Sequence, residues 1–305
     1  MKFILIIILA LGFSLPCSIY SVPKQNSVLA PSITMNIPGY PLVFELNKGD
    51  SILIDRTFKN KRISKTLILK EVRPFSENNN WISASDGKRN YYKTEVDVLI
   101  SGKSFTLVLR PYQMPVLVEG LRIYVEGVKI MDGSQKREVR FSVCLESEPW
   151  GQPSELEFPV NNYRWRSGSY FNTWSSLVPF NFLYYHRGED LGVIPDRLDV
   201  RAWTDGQVIN WPLPLGDNSN KILIRKPNGL EFDYYHCNLE YIDKDILIGK
   251  YIKKGQYIAK TGMTWNGEKS QHNDPHVHLG LNYNGNTISL FPYLIEAYFR
   301  KYDDK

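Results

Sequence analysis

The stretch His276-Val277-His278-Leu279-Gly280-Leu281 decides how this chain is read. Its residues alternate with a period of two, the period of a strand rather than a helix. Residues two apart on a strand project from the same face. The imidazoles of His276 and His278 therefore point into one space, and Val277 points into a core. Such a pair can give one metal ligand and one neighbouring acid–base group. It can equally be a pair of hydrogen-bonded surface groups, so the dipeptide needs a partner elsewhere in the chain.

That partner is His186-Arg187-Gly188-Glu189-Asp190. A histidine and a carboxylate four apart, with a glycine between them, can fold back and offer nitrogen and oxygen to one ion. Zinc takes histidine nitrogen at about 2.0–2.1 Å and carboxylate oxygen at about 2.0–2.2 Å, and a catalytic site keeps three protein ligands and one open position. His186, Asp190 and one of His276 and His278 make that count. A single carboxylate leaves the Zn2+ site net positive, which acidifies bound water and polarises a carbonyl. His272, in the polar loop Gln271-His272-Asn273-Asp274, reads as a solvated loop residue.

Working outward, period-two alternation dominates both halves of the chain. Val96, Val98 and Ile100 alternate with Asp97 and Leu99; a turn at Ser101-Gly102-Lys103 follows, then Phe105, Leu107 and Leu109. Leu121, Ile123 and Val125 alternate again, Asp132-Gly133 is a hairpin signal, and Val139, Phe141 and Val143 follow it. Residues from about 30 to 145 thus predict an antiparallel β domain, a sandwich or small barrel, with no histidine and no clustered carboxylates. Glu146 to Ser154, with two prolines and a glycine, reads as a linker. Beyond it lie all five histidines, an aromatic run including Tyr163, Trp165, Trp174 and Tyr185, and turn signals at Asp205-Gly206 and Asn228-Gly229. Near the C-terminus Leu290, Leu294, Ile295, Tyr298 and Phe299 recur at helical spacing after Pro292. The expected class is mostly β: a β-rich N-terminal domain over 22–150, then a second antiparallel β-sheet domain over 151–305 with a short C-terminal helix.

Composition fits such a chain. It has 305 residues, 43% hydrophobic and 23% charged, which is globular rather than disordered. The net charge of +5 is spread without a dense basic block, so polyanions such as wall polymers are attracted while nothing selects nucleic acid. Met1-Lys2 followed by an apolar run from Phe3 to Leu15 reads as a secretory signal over 1–21. The run is shorter than the ~20 residues of a spanning helix. Membrane contact is expected only through that signal or through a lipid on Cys17, for which the preceding Pro16 is a poor context. Cys144 and Cys237 do not make a disulfide framework.

The residues together resemble the M23 (LytM/lysostaphin-type) peptidases, which cleave peptide cross-links in bacterial peptidoglycan. The resemblance runs from about 170 to 293. It is carried by His-x-Gly-x-Asp at 186–190 and the distant His-x-His at 276–278. Ala202-Trp203-Thr204-Asp205-Gly206-Gln207-Val208, Asn228-Gly229 with Tyr235-His236, and Lys254-Gly255-Gln256-Tyr257-Ile258 with Thr261-Gly262 match further blocks of that family in order. It implies that His186, Asp190 and His278 bind zinc and that His236 and His276 are the remaining catalytic histidines, with the choice of base between them open. Two positions depart from the pattern: Cys237 stands where a leucine is usual, and Asp274-Pro275 replaces Gly-Pro.

The resemblance implies an exported zinc metalloendopeptidase that hydrolyses peptidoglycan cross-links by attack of zinc-bound water, located in the cell envelope or secreted, with peptidoglycan peptides as partners. The alternatives are a non-catalytic M23-fold regulator or a cell-wall binding protein, with the N-terminal domain serving as lid or wall-binding module. The more widely spaced ligands of D-alanyl dipeptidases match less well. The cleaved bond and the oligomeric state are not fixed by the sequence.

Overall fold

The computed structural model describes residues 31–79, 89–110, 112–129, 135–163, 170–172, 177–179, 183–185, 187–192, 198–210, 221–262, 264–265, 268–269 and 276–302. The segments proposed as signal, the Cys17 site, the Asp132-Gly133 turn, His186, His272 and Asp274 lie outside these residues. Among the described residues the fold is antiparallel β with one α-helix, Phe291–Tyr302, as the alternation predicts.

The first half is a sandwich. A five-stranded sheet runs in the order Ser32–Met35, Leu42–Leu46, Val139–Leu145, Leu121–Val128, Val116–Val118; a four-stranded sheet runs Ser51–Phe58, Lys61–Asn79, Arg89–Ile100, Lys103–Leu109. Ser101 and Gly102 both have positive φ, 49° and 84°, the backbone that a two-residue hairpin needs. Leu42, Phe44, Leu46, Ile123, Val125, Val139, Phe141 and Val143 fill the space against Ile54, Leu67, Leu69, Val96 and Val98.

The five-stranded sheet has a second buried face. Leu42–Leu46 and Val139–Leu145 are buried at every position, which a sheet with one wet face would not show. Val43, Tyr124 and Cys144 turn away from the sandwich and join a core that continues into the second half through Trp150, Phe158, Leu279, Tyr293 and Leu294. The Pro/Gly-rich segment after 145 is irregular in backbone, exposed at its two ends and buried in the middle at Glu148, Trp150 and Gly151. Trp150 is fully buried, with Tyr124 and Tyr293 edge-on to it at 6.2 and 6.3 Å. Its composition predicts a break in regular structure, and that holds; it does not report that an indole anchors the break.

Charged groups lie in the same layer. Arg140 and Glu45 form a buried pair (2.7 Å), and Arg140 also donates to the Thr287 carbonyl at 2.7 Å. Glu126 accepts from the Ser142 hydroxyl and from the Ser289 backbone, and Tyr124 and Ser289 hydroxyls meet at 3.3 Å. The two halves are thus joined by polar bonds as well as by apolar contact.

The second half centres on an antiparallel sheet in the order Tyr170–Asn172, Glu189–Gly192, His276–Tyr283, Leu230–Tyr235, Lys221–Arg225, Gly206–Asn210, Tyr251–Ile252, with Asn286–Ile288 paired to the end of His276–Tyr283. Val277, Leu279, Leu281, Phe232, Tyr234, Ile222 and Ile224 fill its inner face. The helix covers that face with Phe291, Tyr293, Leu294 and Ala297. Pro292 sits in its first turn, where the missing N–H costs nothing, and Arg300 and Lys301 sit in the last turn, where cations suit the dipole. Phe299, which the spacing places with the apolar set, is half exposed. The Arg89–Ile100 strand lies against Leu177–Pro179, so the first half also touches the segment leading to residue 186.

Burial pushes the Glu126 carboxyl up to about 7, against the opposing pull of Arg140 and of its hydrogen bonds. The folded form therefore holds a proton that the unfolded chain releases near the ordinary glutamate value. Stability contributed by this group is full at low pH and is lost as pH rises towards and through 7. The upper bound is about 3 kcal/mol. Urea unfolding of Glu126→Gln against the parent should show a smaller drop in midpoint between pH 5 and pH 8; an unchanged drop would contradict the placement of Glu126 in this layer.

Candidate active site

The site is set by register. Asp190 stands directly opposite His278, and Gly192 opposite His276, across adjacent antiparallel strands. Opposed residues share a face with Cβ atoms about 4.5–5.5 Å apart, so the carboxylate and both imidazoles meet on the outer face of the sheet. His278 Nδ1 lies 2.7 Å from Asp190 Oδ1, and His276 Nε2 lies 4.0 Å from the same oxygen. Val277 is fully buried on the inner face, as the alternation requires.

Gly188 explains part of this closeness. Its φ is +151°, and a Cβ there would overlap the His278 imidazole and lie 2.5 Å from the Leu279 carbonyl oxygen. Only glycine lets the loop after residue 186 lie flat against the His278 ring.

His236 arrives by a different route. The Leu230–Tyr235 strand puts Tyr235 opposite His278, so simple alternation would send residue 236 to the inner face. The strand ends there instead, and His236 has φ +63°, a left-handed conformation that costs a β-carbon residue roughly 1–2 kcal/mol. This bend returns the ring to the outer face, 4.7 Å from the His276 ring and 6.1 Å from the His278 ring, centre to centre.

The residues on either side go to the core. Cys237 is buried, and burial pushes its thiol up to about 12. Cys144 and Cys237 are both free thiols. Tyr234, on the inner face, accepts a bond from the Trp203 N–H at 2.7 Å. Of the two adjacent tyrosines it is thus Tyr234 that serves the core and Tyr235 that serves the site; the sequence reading paired Tyr235 with His236 without separating them.

The structure brings together Asp190, His236, His276 and His278. His186 lies outside the described residues, so two of the three expected zinc ligands are described. The residue types fit zinc, with one imidazole nitrogen turned directly onto one carboxylate oxygen in a partly buried setting where the side chains of His276, His278 and Asp190 are 9%, 16% and 14% exposed; among the described residues no group of three or more is placed to hold one ion. Neither Gly188 nor Tyr235 was singled out as a site residue from the sequence. The glycine between the ligands was the available signal for the first; the register of the strand was the hidden one for the second.

Residues 184–290 match the family model Peptidase family M23. Among solved structures, a LytM-type protein of Ruminococcus gnavus named as a candidate glycyl-glycine endopeptidase is 21% identical with a TM-score of 0.35. The match covers 47% of this chain and 62% of that one, so the chain spans less than two thirds of that relative's length. The catalytic domain of the prophage-encoded M23 protein EnpA from Enterococcus faecalis is 21% identical with a TM-score of 0.30, covering 43% of this chain and 93% of that one. Csd3 of Helicobacter pylori is 14% identical with a TM-score of 0.32, covering 88% and 81%. No curated protein matches the chain.

A methyl group at residue 188 would push against the imidazole that faces Asp190. Gly188→Ala should weaken zinc retention by roughly tenfold or more, on the scale of lost ligand-orienting contacts, while the far-ultraviolet spectrum is unchanged. Zinc content after dialysis against a graded chelator series measures it; parental retention would show that the loop yields without disturbing His278.

Proposed function

We propose that this protein is an exported zinc metalloendopeptidase acting on peptide cross-links of bacterial peptidoglycan. The observation that carries the reading is the convergence of Asp190, His278, His276 and His236 on one face of the sheet within the stretch that matches Peptidase family M23.

His186, Asp190 and His278 would hold the zinc. When bound, it would act as a Lewis acid towards water and the substrate carbonyl. The chain's own residues do the rest. His278 Nδ1 and Asp190 Oδ1 face one another at 2.7 Å, so a single ion would draw on both. His236 and His276, with rings 4.7 Å apart, form a pair in which one neutral imidazole accepts a proton and one protonated imidazole donates it. Histidine suits both tasks because its unperturbed pKa of ~6.5 lies near working pH. The basic charge and the leader-like first residues agree with a substrate outside the membrane.

The ligands and the histidine pair separate by experiment. His278→Ala should lose both bound zinc and release of peptide fragments from purified sacculi. His236→Ala and His276→Ala should keep zinc and lose activity by about 10²–10⁴-fold. If the zinc-loaded parent releases no fragments from walls of several cross-link types, the regulator reading replaces this one.

A further inference from the structure

The row of side chains that contains the site does not stop at the site. Asp190 is opposite His278, His278 is opposite Tyr235, and Tyr235 is opposite Lys221. Four adjacent strands therefore present carboxylate, imidazole, phenol and ammonium in one line on the same face. The Tyr235 ring stands edge-on to His278 at 5.4 Å between centres. Lys221 Nζ lies 5.4 Å from the Tyr235 ring centre and hydrogen-bonds the Tyr235 side chain.

The ammonium is anchored by a carboxylate beneath it. Its Nζ is 3.2 Å from Asp233 Oδ1. Asp233 lies low in the sheet, its side chain 5% exposed against 25% for Lys221. The other oxygen of Asp233 takes a bond from Asn282 at 2.6 Å. Gly280, opposite Asp233, makes the room: a Cβ there would lie 3.2 Å from both the Cβ and Oδ2 of Asp233. The carboxylate is thus sunk into the floor, and the lysine that caps it is the more exposed partner of the pair. Burial works against the lysine cation, but Asp233 and Tyr235 outweigh it and hold its pKa above the usual value.

We propose that Lys221, with Tyr235 beside it, forms a subsite for a carboxylate carried by the peptide substrate. This rests on the peptide-hydrolase reading above and adds a preference to it. Two strand spacings separate Lys221 from His278, about 10 Å, which an extended peptide covers in about three residues. The subsite therefore takes an acidic group about three residues from the bond that is cut. Recognition is by charge-assisted hydrogen bonds from the ammonium N–H groups. An amide at the same place would leave the ammonium facing a neutral group.

The test uses the zinc-loaded full chain and end-blocked alanyl–glycyl octapeptides that differ only in Glu or Gln at the third residue from the central bond, on either side of it. Binding is measured by calorimetric titration and cleavage by mass analysis. The acid should bind about tenfold more tightly than the amide on one side of the bond. In Lys221→Met the ratio should fall to about one, and in Lys221→Arg it should return. Because Lys221→Met leaves Asp233 with a buried charge, the double variant Lys221→Met/Asp233→Asn repeats the test without it. Equal binding of acid and amide by the parent, a preference that survives Lys221→Met, or no binding of either peptide overturns the subsite. Acid preference without any cleavage counts against the endopeptidase reading alone; cleavage without acid preference counts against the subsite alone.

Discussion

The contact between Asp190 and His278 is the constraint that organises the second half of the chain. Two groups 88 residues apart in sequence meet at 2.7 Å because their strands pair in one register. A shift of one residue would send both imidazoles to the inner face and Val277 outward. Burial of Val277, Leu279 and Leu281 against the helix is what forbids that shift. The apolar alternation of one strand and the chemistry of the site are therefore the same fact seen from two faces.

The first half of the chain bears on this constraint from behind. Its five-stranded sheet is buried on both faces, and its inner residues Val43, Tyr124 and Cys144 share a core with the strand and helix that support the site. Arg140 reaches the Thr287 carbonyl and Glu126 the Ser289 backbone, just beyond the site strand. Buried polar groups bonded in this way are costly to leave unpaired, so these bonds help fix how the layers sit. The β-rich N-terminal region thus shares one apolar core with the sheet that carries the site.

On the outer face, departures from regularity mark where chemistry is placed. His236 abandons the strand with a left-handed backbone, and Gly188 gives up its side chain to let the loop approach the His278 ring. Gly280 does the same for Asp233. A sheet with ordinary residues at these points would be more regular and would hold neither the histidine cluster nor the lysine–aspartate pair.

Periodicity in the sequence determined that this chain is mostly β, that His276 and His278 share a face, and that a helix lies near the C-terminus with Pro292 in its first turn, because period and burial are local properties. The order of the conserved-type blocks also gave the family to which residues 184–290 match. Only the tertiary structure decided that Trp150 is an anchor inside an irregular segment, that His236 rejoins the site through a bend, and that Tyr235 and Lys221 extend the row from Asp190. Those facts depend on which strands become neighbours and in what register. That is fixed by the packing of residues far apart along the chain, and no window of sequence contains it.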